Sequence, residues 1–285
     1  MADDEVFQGW SLDPSVRSAM RLDHLRKLVA QERYLDAVME AEELLDDEPE
    51  HTEALELLAR SSQALGDAEG ARQALEQLLD LIDTPSAEVL SDLAAASLDC
   101  CDIDGAIGAA RAALGSAAGL ASAHYVLGLA LEYKPGAGVE STSAMAAARS
   151  LDPATYPFPL VLEKGQWEAA VGTALRELHP RLQQFWDGIA VRLHERPRIE
   201  RLTEADPCLS PRVFGLYQGS PDPELDPWQY RPEGLELYIR NLARTTSTEE
   251  LVERIAHTLE HEALDWLGLA PDDLDDLDDL DELDD

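Results

Sequence analysis

The feature that most constrains this chain is a pattern of small residues and leucines that recurs about every 34 residues over its first half. Ala37, Ala71 and Ala106 are separated by 34 and 35 residues, and a further step of 34 falls on Glu140 in a weaker fourth unit. A period of this length in an Ala- and Leu-rich sequence predicts repeated pairs of helices. Each pair has an apolar face that it cannot bury alone, so stacked neighbours must bury it together.

The segment 21–155 resembles the tetratricopeptide repeats. The positions that carry the resemblance are Tyr34, Ala37, Ala41, Leu44, Pro49, Ala54, Leu55, Leu58, Gly66, Ala71, Leu75, Leu78, Leu90, Leu93, Ala94, Ala106, Ala110, Ala113, Tyr125, Leu127, Gly128 and Leu131. The resemblance implies an α-solenoid of three to four repeats with a groove that binds a peptide or protein partner. Because this segment has few basic residues among many acids, we expect a basic or apolar partner. The alternative is that the repeats only brace the C-terminal domain.

Composition divides the rest of the chain. Residues 156–166 include Pro and Gly and are predicted to be a linker, followed by a C-terminal domain over 167–271. Residues 1–20 form an acidic lead-in. Residues 272–285 repeat Asp-Asp-Leu, and we expect a disordered tail because like charges at this density oppose compaction.

The C-terminal domain is predicted to be small and α+β, so that the whole chain is mainly α. Apolar residues at helical spacing favour a helix over 167–186, with a break near His179 because Pro180 follows. Alternating or β-prone segments then predict strands at 188–194, 213–218 and 235–240.

The last predicted helix carries the chemistry. It should begin near Thr248, as its N-cap, and end at Gly268. Leu251, Ile255, Leu259 and Trp266 recur at helical spacing and should face a core. On the same helix, His257, His261 and Asp265 are each four residues apart and therefore lie on one face. Two neighbouring side chains of this set can reach one metal ion, since they lie about 6 Å apart along the helix axis.

Two metal-binding motifs overlap on this helix. Glu262 follows His261, and Asp265 stands four residues after that histidine, as in the motif His-Glu-x-x-His with Asp in the last place. In that motif the two histidines bind zinc and the glutamate is the general base. Asp can also ligate zinc through oxygen. In a second register, His257 and His261 form the inverted motif His-x-x-Glu-His, with Glu260 as base.

Residues from about 170 to 275 resemble the small bacterial zincin-like metallopeptidases, the minimal gluzincin-like proteins. The segments that carry the resemblance are Phe214-Gly215-Leu216-Tyr217-Gln218-Gly219, Gly234-Leu235-Glu236-Leu237-Tyr238-Ile239-Arg240, Ala256-His257-Thr258-Leu259-Glu260-His261-Glu262 and Trp266-Leu267-Gly268-Leu269. The resemblance implies a sheet beside the active-site helix that helps to hold substrate, and a zinc cofactor.

The resemblance also implies roles for individual residues. His261 matches the first zinc ligand and Glu262 the general base, whereas His257 matches a histidine that is not a ligand in the family. Asp265 stands where the family has its second histidine ligand. A third, oxygen ligand is expected shortly after the helix, where Asp272 or the acid after it is nearest.

Two functions follow from these residues. The first is a zinc-dependent metallopeptidase that acts on peptides bound near its own repeats. The alternative is a non-catalytic interaction protein, in which the peptidase fold is kept as a scaffold. Asp265 discriminates between them, because a carboxylate in place of a neutral imidazole adds negative charge at the metal and makes the bound water less acidic.

One basic cluster and two tyrosines complete the set of candidate residues. The cluster consists of Arg196, Arg198, Arg201 and Arg212. We predict that these arginines neutralise nearby carboxylates rather than recognise a ligand. Either Tyr217 or Tyr238 is a candidate donor of a hydrogen bond to an oxyanion, but we predict packing with a hydrated hydroxyl, which is the more usual role of such tyrosines.

The charge of the chain restricts its partners. With 58 acidic and 22 basic residues, the formal net charge is -36. Such a chain repels phosphate backbones and anionic lipid, so we expect neither nucleic acid nor membrane as a partner. The 3 cysteines do not suggest a disulfide framework. These features predict a cytoplasmic protein.

Overall fold

A computed structural model describes residues 14–270 and residue 273. The chain divides into two compact units between Met145 and Ala146. The predicted domain limits stay predictions. The predicted tail lies outside the described residues apart from Asp273, as does the lead-in up to residue 13. Within the described residues, no helix is both long and apolar enough to cross a membrane.

The first unit is built from consecutive helices joined by short connections. The helices are α1 (Pro14–Ala30), α2 (Tyr34–Asp47), α3 (Thr52–Ala64), α4 (Ala68–Leu81), α5 (Ala87–Asp99), α6 (Ile103–Ser116), α7 (Ala121–Leu131) and α8 (Gly138–Leu151), the last of which extends past the division between the units. Because α1 begins at Pro14, the first helix starts inside the segment predicted as a lead-in.

The repeat alanines occupy the contacts between these helices. Ala37, Ala71 and Ala106 have no exposed surface, and each lies near the start of the second helix of its pair. A small residue at such a position lets two helices approach closely. Asp67 and Asp102 accept a hydrogen bond from the backbone N–H three residues on, and so begin α4 and α6 in equivalent ways. The helical-repeat fold predicted from the 34-residue period is confirmed.

The second unit contains shorter helices, one long helix and a small sheet. Its elements are α9 (Lys164–Glu177), α10 (Pro180–Trp186), β1 (Val191–His194), α11 (Ile199–Leu202), β2 (Gly215–Gln218), β3 (Gly234–Tyr238), α12 (Ile239–Leu242) and α13 (Thr248–Leu267). The predicted break near His179 is confirmed, since His179 is the N-cap of α10 and Pro180 is its first residue.

The three strands form one sheet in the order β1-β3-β2. β1 runs parallel to β3, and β2 runs antiparallel to it, with Tyr217 opposite Leu235. Four predicted strand boundaries are wrong. The second strand begins at Gly215 rather than at residue 213, and the third begins at Gly234 rather than at residue 235. The first strand begins at Val191 rather than at residue 188, because Gly188 lies in a left-handed turn. The third strand ends at Tyr238, where the chain turns into α12.

The core of the second unit lies between α9, α13 and the sheet. Leu251, Ile255 and Leu259 of α13 are fully buried there, as their helical spacing predicted. The prediction that Thr248 is the N-cap is wrong by one residue. Ser247 holds that position, because its Oγ accepts a hydrogen bond of 3.1 Å from the backbone N–H three residues on. The predicted end at Gly268 is confirmed, since its φ of 68° is the left-handed conformation that closes many helices.

Candidate active site

The long helix α13 places the predicted site residues one turn apart. His257, His261 and Asp265 are exposed on its surface, whereas Glu262 is only 8% exposed. The side chain of His261 is 69% exposed. The i and i+4 spacing therefore produces the shared face that was expected, with a buried carboxylate beside it.

A cleft of about 550 Å³ lies beside this part of α13. Its lining combines apolar residues with titratable groups from α13, β2 and the segment around α11: Arg201, Glu204, Ala205, Leu209, Val213, Leu216, Tyr217, Gly219, Ser220, His261, Glu262 and Asp265. The residues of the motif that ends at Asp265 therefore share one cleft. His257, one turn earlier, is not in this lining, so the inverted motif is not gathered there.

The carboxylate of Glu262 is held by the sheet. Its Oε2 accepts a hydrogen bond of 2.9 Å from the backbone N–H of Tyr217 in β2. Its Oε1 lies 3.7 Å from Nδ1 of His261. The Glu262 carboxylate is the main cause that raises the pKa of the His261 imidazole, and the partial burial of the ring opposes this effect.

The side chain of Tyr217 joins the same group of residues. Burial, and then hydrogen bonding to the Asp265 carboxylate, raise the pKa of Tyr217 to about 12, so that its hydroxyl stays a donor near neutral pH. The ring also packs edge-on against Trp266, with 5.1 Å between the ring centroids. Tyr217 therefore packs as expected, and it lines the cleft together with the predicted metal ligand Asp265.

Tyr238 is not in the lining of the cleft. It is almost completely buried, and its hydroxyl donates a hydrogen bond of 2.9 Å to Oε2 of Glu236 in the same strand. Burial is the main cause that raises the pKa of this hydroxyl, and the contact with Glu236 adds to it. The expected packing role of Tyr238 therefore includes a buried polar contact that the sequence pattern did not indicate.

Arg201 is a cleft residue whose contacts the sequence did not reveal. Its Nη2 donates a hydrogen bond of 3.0 Å to the backbone carbonyl of Tyr217, and its Nη1 donates one of 2.8 Å to Oε2 of Glu204. The second contact is the carboxylate neutralisation that was predicted for the arginine cluster. The first contact links α11 to β2, and it depends on how these elements pack.

The structure describes two of the three predicted zinc ligands. His261 and Asp265 line the cleft, and an imidazole with a carboxylate is a donor pair that zinc accepts. Asp272 lies outside the described residues, and Oδ2 of Asp273 accepts a hydrogen bond of 2.7 Å from the backbone N–H of Ala270. Across 14–270 and 273, no three His, Cys, Asp or Glu residues are arranged to hold a metal ion.

Comparison with known proteins gives one family and a group of repeat structures. Residues 186–280 match the family described as zincin-like metallopeptidase. A comparison with curated proteins gives no match. Among solved structures, a crystal structure of MamA is 24% identical over 48% of this chain and 73% of that chain, with a TM-score of 0.44. MamA from Desulfovibrio magneticus RS-1 is 21% identical over 48% and 76%, also with a TM-score of 0.44.

A third solved structure is YrrB, described as a TPR protein with an unusual peptide-binding site. It is 15% identical over 55% of this chain and 76% of that chain, with a TM-score of 0.42. These values show only what a part of this chain is similar to. The match to the family model covers about a third of the chain and contains the whole of α13. The resemblance to zincin-like metallopeptidases is therefore confirmed for the C-terminal region, which follows a series of helical repeats.

Proposed function

We propose that the C-terminal unit is a metallopeptidase that binds a peptide in the cleft and hydrolyses it with zinc as cofactor. The observation that carries this proposal is the position of His261, Glu262 and Asp265. These residues share one cleft, and they lie inside the region that matches the zincin-like family. A cleft of about 550 Å³ is within the usual size range for a small-ligand site.

Each residue has a role in this proposal. His261 and Asp265 would hold the zinc together with Asp272. When bound, zinc acidifies a water molecule and polarises a carbonyl group. Glu262 accepts the proton that the attacking water loses, and the backbone N–H of Tyr217 fixes the direction of its carboxylate. Tyr217 and Asp265 line the same cleft, so the Tyr217 hydroxyl is a candidate to orient the Asp265 carboxylate.

We assign partner binding to the repeats. The support is their resemblance to tetratricopeptide repeats and their excess of acidic residues, which favours basic or apolar segments. In this arrangement the first unit captures a peptide or protein and the second unit acts on it. Bracing of the second unit is the alternative role.

A non-catalytic binding protein is the second candidate. It is favoured by the composition of the motif, because Asp265 stands where a second neutral histidine would otherwise bind the metal. In this form the cleft binds a peptide segment without cleaving it.

Metal content distinguishes the two candidates. The purified chain, Asp265→Ala and His257→Ala are analysed by elemental mass spectrometry before and after incubation with zinc. The metallopeptidase predicts about one zinc per chain, lost in Asp265→Ala and kept in His257→Ala. If the natural chain holds no zinc and takes none up, the non-catalytic candidate replaces it. Loss of zinc in His257→Ala alone would favour the inverted motif.

A further inference from the structure

The edge of the sheet that borders the cleft is already occupied by side chains. β2 pairs only with β3 among the described residues, because the strand order is β1-β3-β2. The backbone carbonyl of Phe214, which directly precedes β2, accepts a hydrogen bond from the backbone N–H of Tyr238. Because every second residue of an antiparallel strand bonds to the same neighbour, Leu216 and Gln218 also face β3. The N–H and C=O groups of Tyr217 therefore face the opposite, outer edge.

Both outer groups of Tyr217 have partners. The N–H donates to Glu262 at 2.9 Å, and the C=O accepts from Arg201 at 3.0 Å. These are the two backbone groups that an extended peptide would use if it added itself to the edge of β2. One carboxylate and one guanidinium thus satisfy an edge position that would otherwise be open to another strand.

We infer that Arg201 is a positioning residue that closes the β2 edge, and that a bound peptide must displace it from the carbonyl of Tyr217. This inference rests on the proposed function, in that the ligand is an extended peptide in the cleft. It goes beyond that function by naming a contact within the chain that competes with the ligand. The competing contact lowers the affinity of the cleft for every extended peptide.

Arg201 is the group that yields when a peptide binds. Its side chain is 31% exposed, whereas Glu262 is buried, so the arginine can move into solvent at less cost. Its second contact, with the exposed carboxylate of Glu204, keeps it beside the cleft. Once Arg201 has moved, the Tyr217 carbonyl is free to accept a hydrogen bond from a peptide N–H.

The test measures binding to Arg201→Ala, Arg201→Lys and the natural chain. The probe is fluorescein-labelled lysozyme, reduced and alkylated with iodoacetamide, which is an unfolded basic polypeptide. Fluorescence anisotropy gives Kd at two salt concentrations. A hydrogen bond from a charged donor is worth enough that its loss should lower Kd about threefold to tenfold in Arg201→Ala. Arg201→Lys keeps a charged donor and should stay near the natural value.

Arg198→Ala is the matched control. Arg198 is exposed, precedes α11 and is not in the cleft lining, so this variant makes the same change in charge without opening the edge. Equal tightening in Arg198→Ala and Arg201→Ala would overturn the inference, because the general charge would then be the cause. An unchanged or higher Kd in a folded Arg201→Ala, or no binding by any form, would also overturn it.

Failure of the inference and failure of the proposed function give different results. If the natural chain does not hydrolyse the probe but Arg201→Ala binds it more tightly, the metallopeptidase fails and the inference stands. If the natural chain hydrolyses the probe, release of the edge should lower KM in Arg201→Ala with kcat unchanged. Hydrolysis with an unaltered KM in that variant overturns the inference and leaves the function intact.

Discussion

A methyl group added to the α-carbon of Gly215 would lie 2.9 Å from Cγ2 of Thr258, so β2 and α13 touch with no room for a side chain at this point. The same added atom would lie 2.9 Å from the backbone oxygen of Glu236 in the neighbouring strand. Two residues further along β2, and one turn further along α13, Tyr217 meets Glu262. The close approach at Gly215 therefore sets the distance across the candidate site.

The first prediction is that Gly215→Ala destabilises the second unit. The added carbon meets backbone, which cannot rotate away, so the strand and the helix must separate. Overpacking of this kind costs about 1–3 kcal/mol in the free energy of unfolding. Denaturant unfolding followed by tryptophan fluorescence measures it, since Trp186 and Trp266 lie in this core. The contact between Tyr217 and Glu262 should weaken as well.

Gly108→Ala in α6 is the comparison for this prediction. Gly108 is exposed, and among the described residues outside its own helix backbone no atom lies within 4 Å of the added carbon. Alanine is favoured over glycine inside a helix by about 1 kcal/mol. We therefore expect little change or a small gain in the stability of the first unit. If the two substitutions lower the free energy of unfolding equally, the close approach of β2 and α13 at Gly215 is not the cause of the loss.

Much of the fold could be predicted because it follows local patterns. The 34-residue period fixed the helix pairs, and the spacing of Leu251, Ile255 and Leu259 identified the buried face of α13. The break before Pro180 followed from the chemistry of proline. Strand ends and the N-cap were less accurate, because they depend on single residues such as Gly188 and Ser247 in their local conformations.

The contacts within the candidate site could not be predicted in the same way. The motif on α13 identified His261, Glu262 and Asp265, but it did not reveal that the backbone N–H of Tyr217 donates to the Glu262 carboxylate. That relation joins residues 45 positions apart through the packing of β2 on α13. The sequence shows Arg201 only as one of four clustered arginines, since a contact with a backbone carbonyl leaves no trace in the sequence.

The second prediction concerns the small residues of the repeats. Ala106 is fully buried near the start of α6, whereas Ala112 of the same helix is exposed. Ala106→Leu should destabilise the first unit by about 1–3 kcal/mol, because the larger side chain forces the paired helices apart. Ala112→Leu should change stability by less than about 0.5 kcal/mol. Thermal unfolding followed by circular dichroism measures both, and similar Tm values for the two variants would contradict the prediction.

The third prediction concerns the hydroxyl of Tyr238. Tyr238→Phe removes the donor to Glu236, whose side chain is only partly exposed, and should cost about 1–3 kcal/mol at neutral pH. Because the pKa of Tyr238 is raised in the folded protein, its contribution is fully present below the unfolded pKa of about 10 and is lost as the pH rises beyond it. The stability difference from the natural chain should therefore be constant from pH 7 to about 9 and shrink at higher pH.

Tyr230→Phe is the control for the tyrosine experiment. The side chain of Tyr230 is exposed. Its backbone carbonyl accepts a hydrogen bond from the indole N–H of Trp266, and the substitution keeps this bond. It should have almost no effect on unfolding by urea across the same pH range. The prediction fails if Tyr238→Phe and the natural chain have the same free energy of unfolding at pH 7, or if the gap between them grows above pH 10. Either result would show that the buried hydroxyl does not stabilise the fold.

The last prediction separates the carboxylate that acts as a base from its neighbours on α13. Glu262→Gln keeps an oxygen that can accept from the backbone N–H of Tyr217, so the fold and the zinc content should be preserved. It should lower peptide hydrolysis by about 100-fold or more, because an amide cannot accept the proton of the attacking water.

Glu260→Gln is the control. It changes a nearby carboxylate that is not in the cleft lining, and it should leave the rate of hydrolysis unchanged. Hydrolysis of a fluorogenic peptide gives kcat for both variants, and elemental mass spectrometry gives their zinc. Full activity in Glu262→Gln would remove Glu262 from the mechanism, and loss of activity in Glu260→Gln alone would support the inverted motif, with Glu260 as its base.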